Sequence, residues 1–241
     1  MKNNKKNEFD TLVRRVVETE SIFTNDFASQ YELQTLVRFM PNLASASVLD
    51  IGCGTGRMSL RLAKIAKRVV GIDTSGYSIK TFLDQAKKER LHNVSAFAMD
   101  FHDLPNKKKF DYVLMVNVVH HIPDIDKTLA KIRRILRKNG TLVIYEFNPI
   151  NLLYIPFLVY YKQVAIHVNR EYFRSNIWAL RRILDRAGYS PNSMFRHGFL
   201  PTILYNVSPL FLKLNTALNA VPMVNQFCAF HILTYKIRSY E

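Results

Sequence analysis

Residues 48–56 read Val-Leu-Asp-Ile-Gly-Cys-Gly-Thr-Gly, and this stretch constrains what the chain can fold into more than any other. Val48, Leu49 and Ile51 around Asp50 have the make-up of a short buried strand. Gly52, Gly54 and Gly56 follow at alternate positions, allowing a sharp turn and a close approach of ligand to main chain. From Arg57 onward Leu60, Leu62, Ala63, Ile65 and Ala66 supply the apolar positions of a helix over about 57–66. Strand, glycine turn and helix N-terminus make a corner whose unpaired N–H groups face whatever sits there. The G-x-G-x-G spacing is not the dinucleotide fingerprint, which argues against a dehydrogenase. Taken alone, the turn could also be purely structural.

The surrounding pattern adds two more acids at strand ends. Arg68–Asp73 is a second strand ending in Asp73, about 20 residues past the glycines, where a carboxylate can accept from ribose hydroxyls. Asp73 could instead cap the next helix, about 76–89, for which Ser75 is the expected N-cap. A third strand, about 94–99, leads into Asp100. Tyr112–Val116 is a near-continuous apolar run, as a strand buried on both faces should be. Pro123-Asp124 opens a helix with the stripe Ile125, Leu129, Ile132 and Leu136, expected to stop at Gly140 before a fifth strand, Leu142–Tyr145. Strands alternating with helices predict a doubly wound, mostly parallel sheet.

Five segments in order, VLDIGCGTG, VVGIDTS, AMDFHDLP, FDYVLMVNVVHHIPD and LRKNGTLVIYE, resemble the motifs of class I S-adenosylmethionine (SAM)-dependent methyltransferases. The resemblance spans about residues 40–150 and is nearest the small-molecule branch that includes quinone-biosynthesis methyltransferases. It implies an α/β fold: a Rossmann-like, doubly wound, mostly parallel seven-stranded sheet with N-terminal helices and a helical cap inserted near the C-terminus. It also implies SAM as cofactor. Gly52, Gly54 and Gly56 would back its methionine and ribose portion, and Asp50 would act near its amino group. Asp73 would bind the ribose hydroxyls, Asp100 the adenine amine, and Phe101 would pack on the adenine ring. Asn117 would meet the methionine portion through its carbonyl. His120 and His121, at the mouth, are candidate general bases, since a neutral imidazole there can take a proton from a nucleophile; Glu146 is a further candidate. His92, His102, His167, His197 and His231 show no metal-ligand spacing, so no metal is predicted.

Residues 1–40 read as N-terminal helices over the site, with Phe9, Leu12, Val13 and Val16 and then Phe27, Leu33, Leu36, Val37 and Met40 at helical spacing. Residues 41–150 form the SAM-binding core, and 151–241 complete the same domain. There Phe173, Ile177, Leu180, Ile183 and Leu184 mark a helix stopped by Gly188, and 192–197 and 228–237 the last two strands. Residues 149–168 and 199–224 are too apolar for surface loops and read as material folded over the carboxyl edge of the sheet. Leu152, Phe157, Leu200, Leu210, Phe211 and Leu214 would line an acceptor pocket, ringed by Lys162, Arg170, Arg174, Arg196 and Lys213.

The formal net charge is +15, which invites an anionic partner, although part of it is ordinary helix-end charge. Two cysteines, no signal-peptide pattern and no uninterrupted apolar span lead to the expectation of a cytoplasmic protein that can be peripheral at a membrane. The function this supports is methyl transfer to a small, hydrophobic or lipid-like acceptor, with an anionic membrane surface as the further partner. The alternatives are an RNA methyltransferase and a non-catalytic SAM-binding subunit. Against RNA, Asn117 is followed by Val118-Val119 and not by the Pro-Pro-aromatic run that clamps a flipped base, so no specific nucleic acid is expected.

Overall fold

In the computed structural model the described residues are 26–107, 109–151, 176–200, 204 and 208–238. Seven strands form one sheet: β1 (Ser47–Ile51), β2 (Arg68–Asp73), β3 (Val94–Ala98), β4 (Phe110–Val116), β5 (Leu136–Phe147), β6 (Tyr189–His197) and β7 (Phe230–Ile237). Their spatial order is β3-β2-β1-β4-β5-β7-β6. The pairs from β3 through β5 are parallel, and β7 runs antiparallel to both neighbours. The chain winds outward from β1 to β3 and then resumes on the other side at β4. The carboxyl ends of β1 and β4 therefore flank a switch point, the place where open α/β sheets bind ligands.

Strand residues alternate between two apolar layers, as a period of two requires. Leu49, Val70, Val113 and Leu142 pack with α4 (Ile125–Ile135) and α5 (Ile177–Arg186). Val48, Val69, Leu114 and Val143 pack with Leu36 and Met58 from α1 (Asp26–Val37) and α2 (Arg57–Ala63). Each fully buried Leu or Val in these layers contributes about 1.5–3 kcal/mol. Helix α3 (Gly76–Lys88) adds a smaller cluster through Ile79, Phe82 and Ala86. Ser75 caps it as expected, accepting from Ser78 N–H at 3.1 Å.

Several boundaries differ from the sequence reading. Helix α4 ends at Ile135, and Leu136, expected on its stripe, turns extended and pairs with Phe110. The gain is burial: Leu136 is 3% exposed. Thr141 then pairs with Tyr112, so Arg137–Gly140 is accommodated in a register shift. Gly140 is needed there for room and does not stop a helix, since a Cβ would lie 2.9 Å from Leu136 Cδ2 and 3.0 Å from the Arg137 backbone. Strand β6 starts at Tyr189 and tolerates Pro191 because it is an edge strand.

Between β6 and β7 the chain forms α6 (Pro209–Ala220) and α7 (Pro222–Asn225), within the region expected to be a helical insertion. Leu210 and Leu214 are 69% and 46% exposed, so they face outward and do not line a pocket. The first expected N-terminal helix and residues 152–175 (Phe173 included) lie outside the described residues. Among the described residues no helix is long and apolar enough to cross a membrane.

Candidate functional site

Strand β1 delivers Asp50 into a buried position, 2% exposed. Its Oδ2 accepts from Ser59 Oγ at 2.6 Å, whereas its Oδ1 is buried without a hydrogen bond. Burial pushes the carboxyl up to about 7; the nearby Asp73 charge adds to this, and the Ser59 hydrogen bond and Arg57 oppose it. The glycine turn that follows is left-handed at Gly52, Gly54 and Gly56. At Gly56, φ is +83° and a Cβ would strike the Phe82 ring at 2.3 Å, so no other residue fits. At Gly54 a Cβ would meet nothing within 4 Å, so this side of the turn is open.

Asp73 ends β2 and grips that turn. Its Oδ2 accepts from Gly54 N–H at 2.9 Å and its Oδ1 from Ser75 N–H at 2.8 Å. Capping α3 falls to Ser75, and Asp73 ties the cap to the glycine loop. Asp100 accepts from His102 N–H at 2.7 Å, opening a single 3-10 turn. Phe101 in that turn is buried, with Lys131 Nζ 5.3 Å from its ring centroid. Asn117 follows β4 in the left-handed region at φ 48°, its N–H donating to Tyr145 O at 2.8 Å and its Oδ1 buried without a hydrogen bond.

A cavity of about 410 Å³ lies at these strand ends. Of the residues expected in the site, Gly52, Asp73, Asp100, Phe101, Asn117 and His121 line it. Asp50, Gly54 and His120 are not on its wall but are bonded or adjacent to residues that are, and Gly56 lies off the wall. Met99, Ile122, Pro123 and Thr128 are among the further lining residues and were not singled out from sequence as site residues. Thr128 and Lys131, on α4, hold the loop after β3 through His102 Nε2 (3.2 Å from Thr128 Oγ1) and His102 O, which accepts from Lys131 Nζ. In sequence they look like ordinary residues of a charged helix.

Glu146 differs from its expected place at the mouth: it is 0% exposed. Its Oε1 accepts from Val118 N–H at 2.7 Å and Val119 N–H at 2.6 Å, and its Oε2 lies 3.1 Å from His120 Nδ1. The His120 and His121 rings lie 4.0 Å apart, centroid to centroid. Desolvation, with help from His120, lowers the His121 pKa. More than a third of the residue remains open to solvent, which screens the effect.

A second buried cluster was not legible in the sequence. Glu32 on α1 pairs with Arg57 at the first turn of α2, fastening the N-terminal helix beside the glycine loop. His197, at the end of β6, stacks among Tyr145, Phe195 and Phe230 with centroids 5.5, 5.8 and 5.7 Å away. It is 2% exposed and its Nε2 makes no hydrogen bond. Desolvation holds its pKa down to about 4, against Glu32 and with His231. The unfolded chain therefore takes up this proton first as pH falls, and stability present above pH ~6.5 is lost toward pH 4. His197→Phe is expected to leave the urea midpoint at pH 8 nearly unchanged and to raise stability at pH 5 by about 1–2 kcal/mol. An unaltered pH dependence of the midpoint would remove His197 as an acid-sensitive element.

Among the described residues no group of three or more His, Cys, Asp or Glu is placed to hold a metal ion. A family profile described as "Methyltransferase domain" matches residues 43–177. The ubiquinone biosynthesis O-methyltransferase of Pelagibacter ubique (strain HTCC1062) is 37% identical over 109 residues, covering 44% of this chain and 44% of that protein. The mitochondrial ubiquinone biosynthesis O-methyltransferase of Homo sapiens is 26% identical over 156 residues, 58% of this chain and 41% of that protein. The matches thus span less than half the length of these curated relatives. The crystal structure of magnesium protoporphyrin IX methyltransferase from Synechocystis PCC 6803 with bound SAH superposes with a TM-score of 0.60 at 20% identity, covering 88% of this chain and 84% of that one. At that identity the likeness is one of fold, and it agrees with the Rossmann-like, mostly parallel seven-stranded sheet.

Proposed function

The chain belongs to the methyltransferase-domain family, and from that premise we propose that it moves a methyl group from SAM to an oxygen of a small, hydrophobic acceptor. The observation that carries the reading is the switch-point cavity, with Asp73 and Asp100 on its wall and the buried, unpartnered Oδ1 atoms of Asp50 and Asn117. These residues fit SAM. An orphaned buried carboxylate oxygen suits an ammonium group, and the open side of Gly54 leaves room against the turn. Bound there, SAM supplies a methyl carried on a sulfonium.

The chain's own residues bind and orient. Asp50 would hold the amino group. Asp73 already accepts two backbone N–H bonds, but a carboxylate has about four acceptor sites, so the ribose hydroxyls can be added. Asp100 would accept from the adenine amine while Phe101, backed by Lys131, packs on the ring. Asn117 would face the methionine portion. His121 on the wall and His120, whose ring centroid lies 4.0 Å from that of His121, are the groups able to receive a proton. Much of the rate would come from holding the reacting atoms in line and dry.

An oxygen acceptor is supported by the relatives named O-methyltransferases. A hydrophobic acceptor drawn from an anionic membrane surface is supported by the C-terminal region. Leu210 and Met223 are 69% and 77% exposed, and no acid occurs between Asp185 and Glu241. Incubating the protein with methyl-labelled SAM and an organic-solvent extract of cells is expected to label a lipid-soluble fraction. In flotation with phosphatidylglycerol vesicles the protein is expected to rise with the lipid, and Leu210→Asp with Met223→Asp to lower that fraction severalfold. Absence of vesicle binding, together with labelling of a water-soluble product only, would sink the lipid reading and leave SAM-dependent transfer standing.

A further inference from the structure

We propose that Glu146 is a positioning residue that fixes the tautomer of His120, and that His120, rather than His121, receives the acceptor's proton. This rests on the methyl-transfer reading above and assigns a division of labour within that site.

The parallel pairing of β4 with β5 places the turn after Val116 beside the end of β5, where Asn117 N–H meets Tyr145 O at 2.8 Å. Side chains alternate along β5, so Tyr145 packs with the α1 and α2 layer and Glu146 points to the opposite face, under that turn. A wholly buried carboxylate is tolerated only when its oxygens are satisfied. Here Val118 and Val119 N–H groups occupy Oε1 at 2.7 and 2.6 Å, and Oε2 is left for His120 Nδ1 at 3.1 Å. Ionised, Glu146 can only accept, which puts the hydrogen on His120 Nδ1 and the ring's lone pair on Nε2. The arrangement has the logic of a carboxylate orienting an imidazole base.

His121 is suited to a different part. Its ring lines the cavity but, among the described residues, pairs with no carboxylate of its own, and its surroundings disfavour a positive charge. Among the described residues, His231 lies directly across from Glu146 on β7 and is 1% exposed. In the step assigned to His120, the acceptor's O–H bond breaks and its proton goes to Nε2. The electron pair stays on oxygen and forms the new bond to the methyl carbon, while the pair of the carbon–sulfur bond leaves with the thioether.

The test uses the full chain labelled with ¹⁵N-histidine, with S-adenosylhomocysteine added, at pH 8. Two-bond ¹⁵N–¹H correlations report the tautomer of each ring, and His120→Gln assigns the signal. Wild-type His120 is expected as the Nδ1–H tautomer. In Glu146→Gln the amide oxygen can still serve Val118 and Val119, while its NH₂ donates toward Nδ1, so the tautomer is expected to invert to Nε2–H. Transfer of label to the extract fraction is expected to fall about 10²-fold or more in kcat for both variants, with KM for SAM changed no more than about twofold. A wild-type Nε2–H tautomer, or a kcat in Glu146→Gln within about threefold of wild type, would overturn the proposal. If Glu146→Gln does not fold, the wild-type tautomer and the His120→Gln rate decide by themselves. Calorimetry with S-adenosylhomocysteine separates the two readings. No binding would bring down the function itself, whereas binding and transfer with the wrong tautomer would bring down the Glu146–His120 assignment alone.

Discussion

Asp50→Asn is expected to make the protein more stable at pH 8 and to cost it most of its affinity for SAM. The side chain is 2% exposed, one oxygen is unpartnered, and burial lifts its pKa to about 7 from 3.8. A carboxyl whose folded pKa is raised holds a proton that the unfolded chain has already released. Its contribution is therefore most favourable below pH ~4, declines as pH rises toward 7, and is a constant penalty above that. A shift of this size corresponds to a penalty of a few kcal/mol at pH 8, on the order of 1.4 kcal/mol per pH unit. Asn keeps an oxygen for Ser59 Oγ, now at 2.6 Å from Oδ2, and removes the charge. Each kcal/mol regained should raise Tm by about 2–4 °C for a chain of this size. Loss of the charged acceptor should weaken SAM about 10- to 150-fold, the equivalent of 1.5–3 kcal/mol.

The same shift gives the wild-type protein a pH signature. If the ionised carboxylate is the form that meets the ammonium, SAM affinity rises with pH up to about 7 and then levels, while the Asn variant is flat across that window. Calorimetry from pH 5.5 to 8.5, paired with thermal melts, reads both effects. An Asn variant that is less stable at pH 8 and binds SAM as wild type does would take Asp50 out of the site. A destabilising charge kept beside a ligand cavity is what a functional group looks like in a fold otherwise tuned for burial.

What the sequence disclosed and what it hid follow from the range of the interactions involved. Gly52, Gly54, Gly56, Asp73 and Asp100 were legible because each is placed by the strand immediately before it. Ser75 was legible as a cap, its side chain accepting from Ser78 N–H, and Asp124, expected only to open its helix, caps it by accepting from Lys127 N–H. Glu146 was legible as a strand-end acid but not as a buried one. Which face it takes depends on the pairing of β5 with its neighbours, and a period of two reverses sides with every single-residue slip. Gly140 looked like a helix stop because the crowding it relieves, from Leu136 and Arg137, exists only after the chain has turned extended.

The outward face of α6 failed for a related reason. Its sequence, PLFLKLNTALNA, is apolar on nearly every side, so no stripe announces which face is covered. The structure buries Asn215 completely and leaves Leu210 and Leu214 in solvent. Asn215 Oδ1 accepts from Phe199 N–H at 2.6 Å and Leu200 N–H at 3.3 Å, two backbone groups left over where β6 ends. Satisfying buried backbone outranked burying a leucine, and only the assembled fold shows which backbone needed it. Glu32, Arg57 and His197 come together across the length of the chain, and no local pattern marks such a group.

Asp73→Ala is expected to weaken SAM about 10- to 150-fold, the range for losing hydrogen bonds to a charged acceptor. Its two roles predict different collateral effects. As a ligand group it would meet the ribose; as a structural group it holds Gly54 N–H at 2.9 Å and Ser75 N–H at 2.8 Å. The residue is only partly buried, so water can replace it at those donors, and the stability cost should stay near 1 kcal/mol. Comparing two ligands by calorimetry separates the roles. S-adenosylhomocysteine carries the ribose, and methionine occupies only the amino-acid end. A ribose contact predicts that the variant loses affinity for S-adenosylhomocysteine by the full factor while methionine binding changes no more than about twofold. If the carboxylate acts only by shaping the glycine turn, both ligands lose equally, because in the proposed reading the turn backs the methionine portion as well. Equal losses would move Asp73 from the ligand contacts to the scaffold, and unchanged affinity for both would remove it from the site.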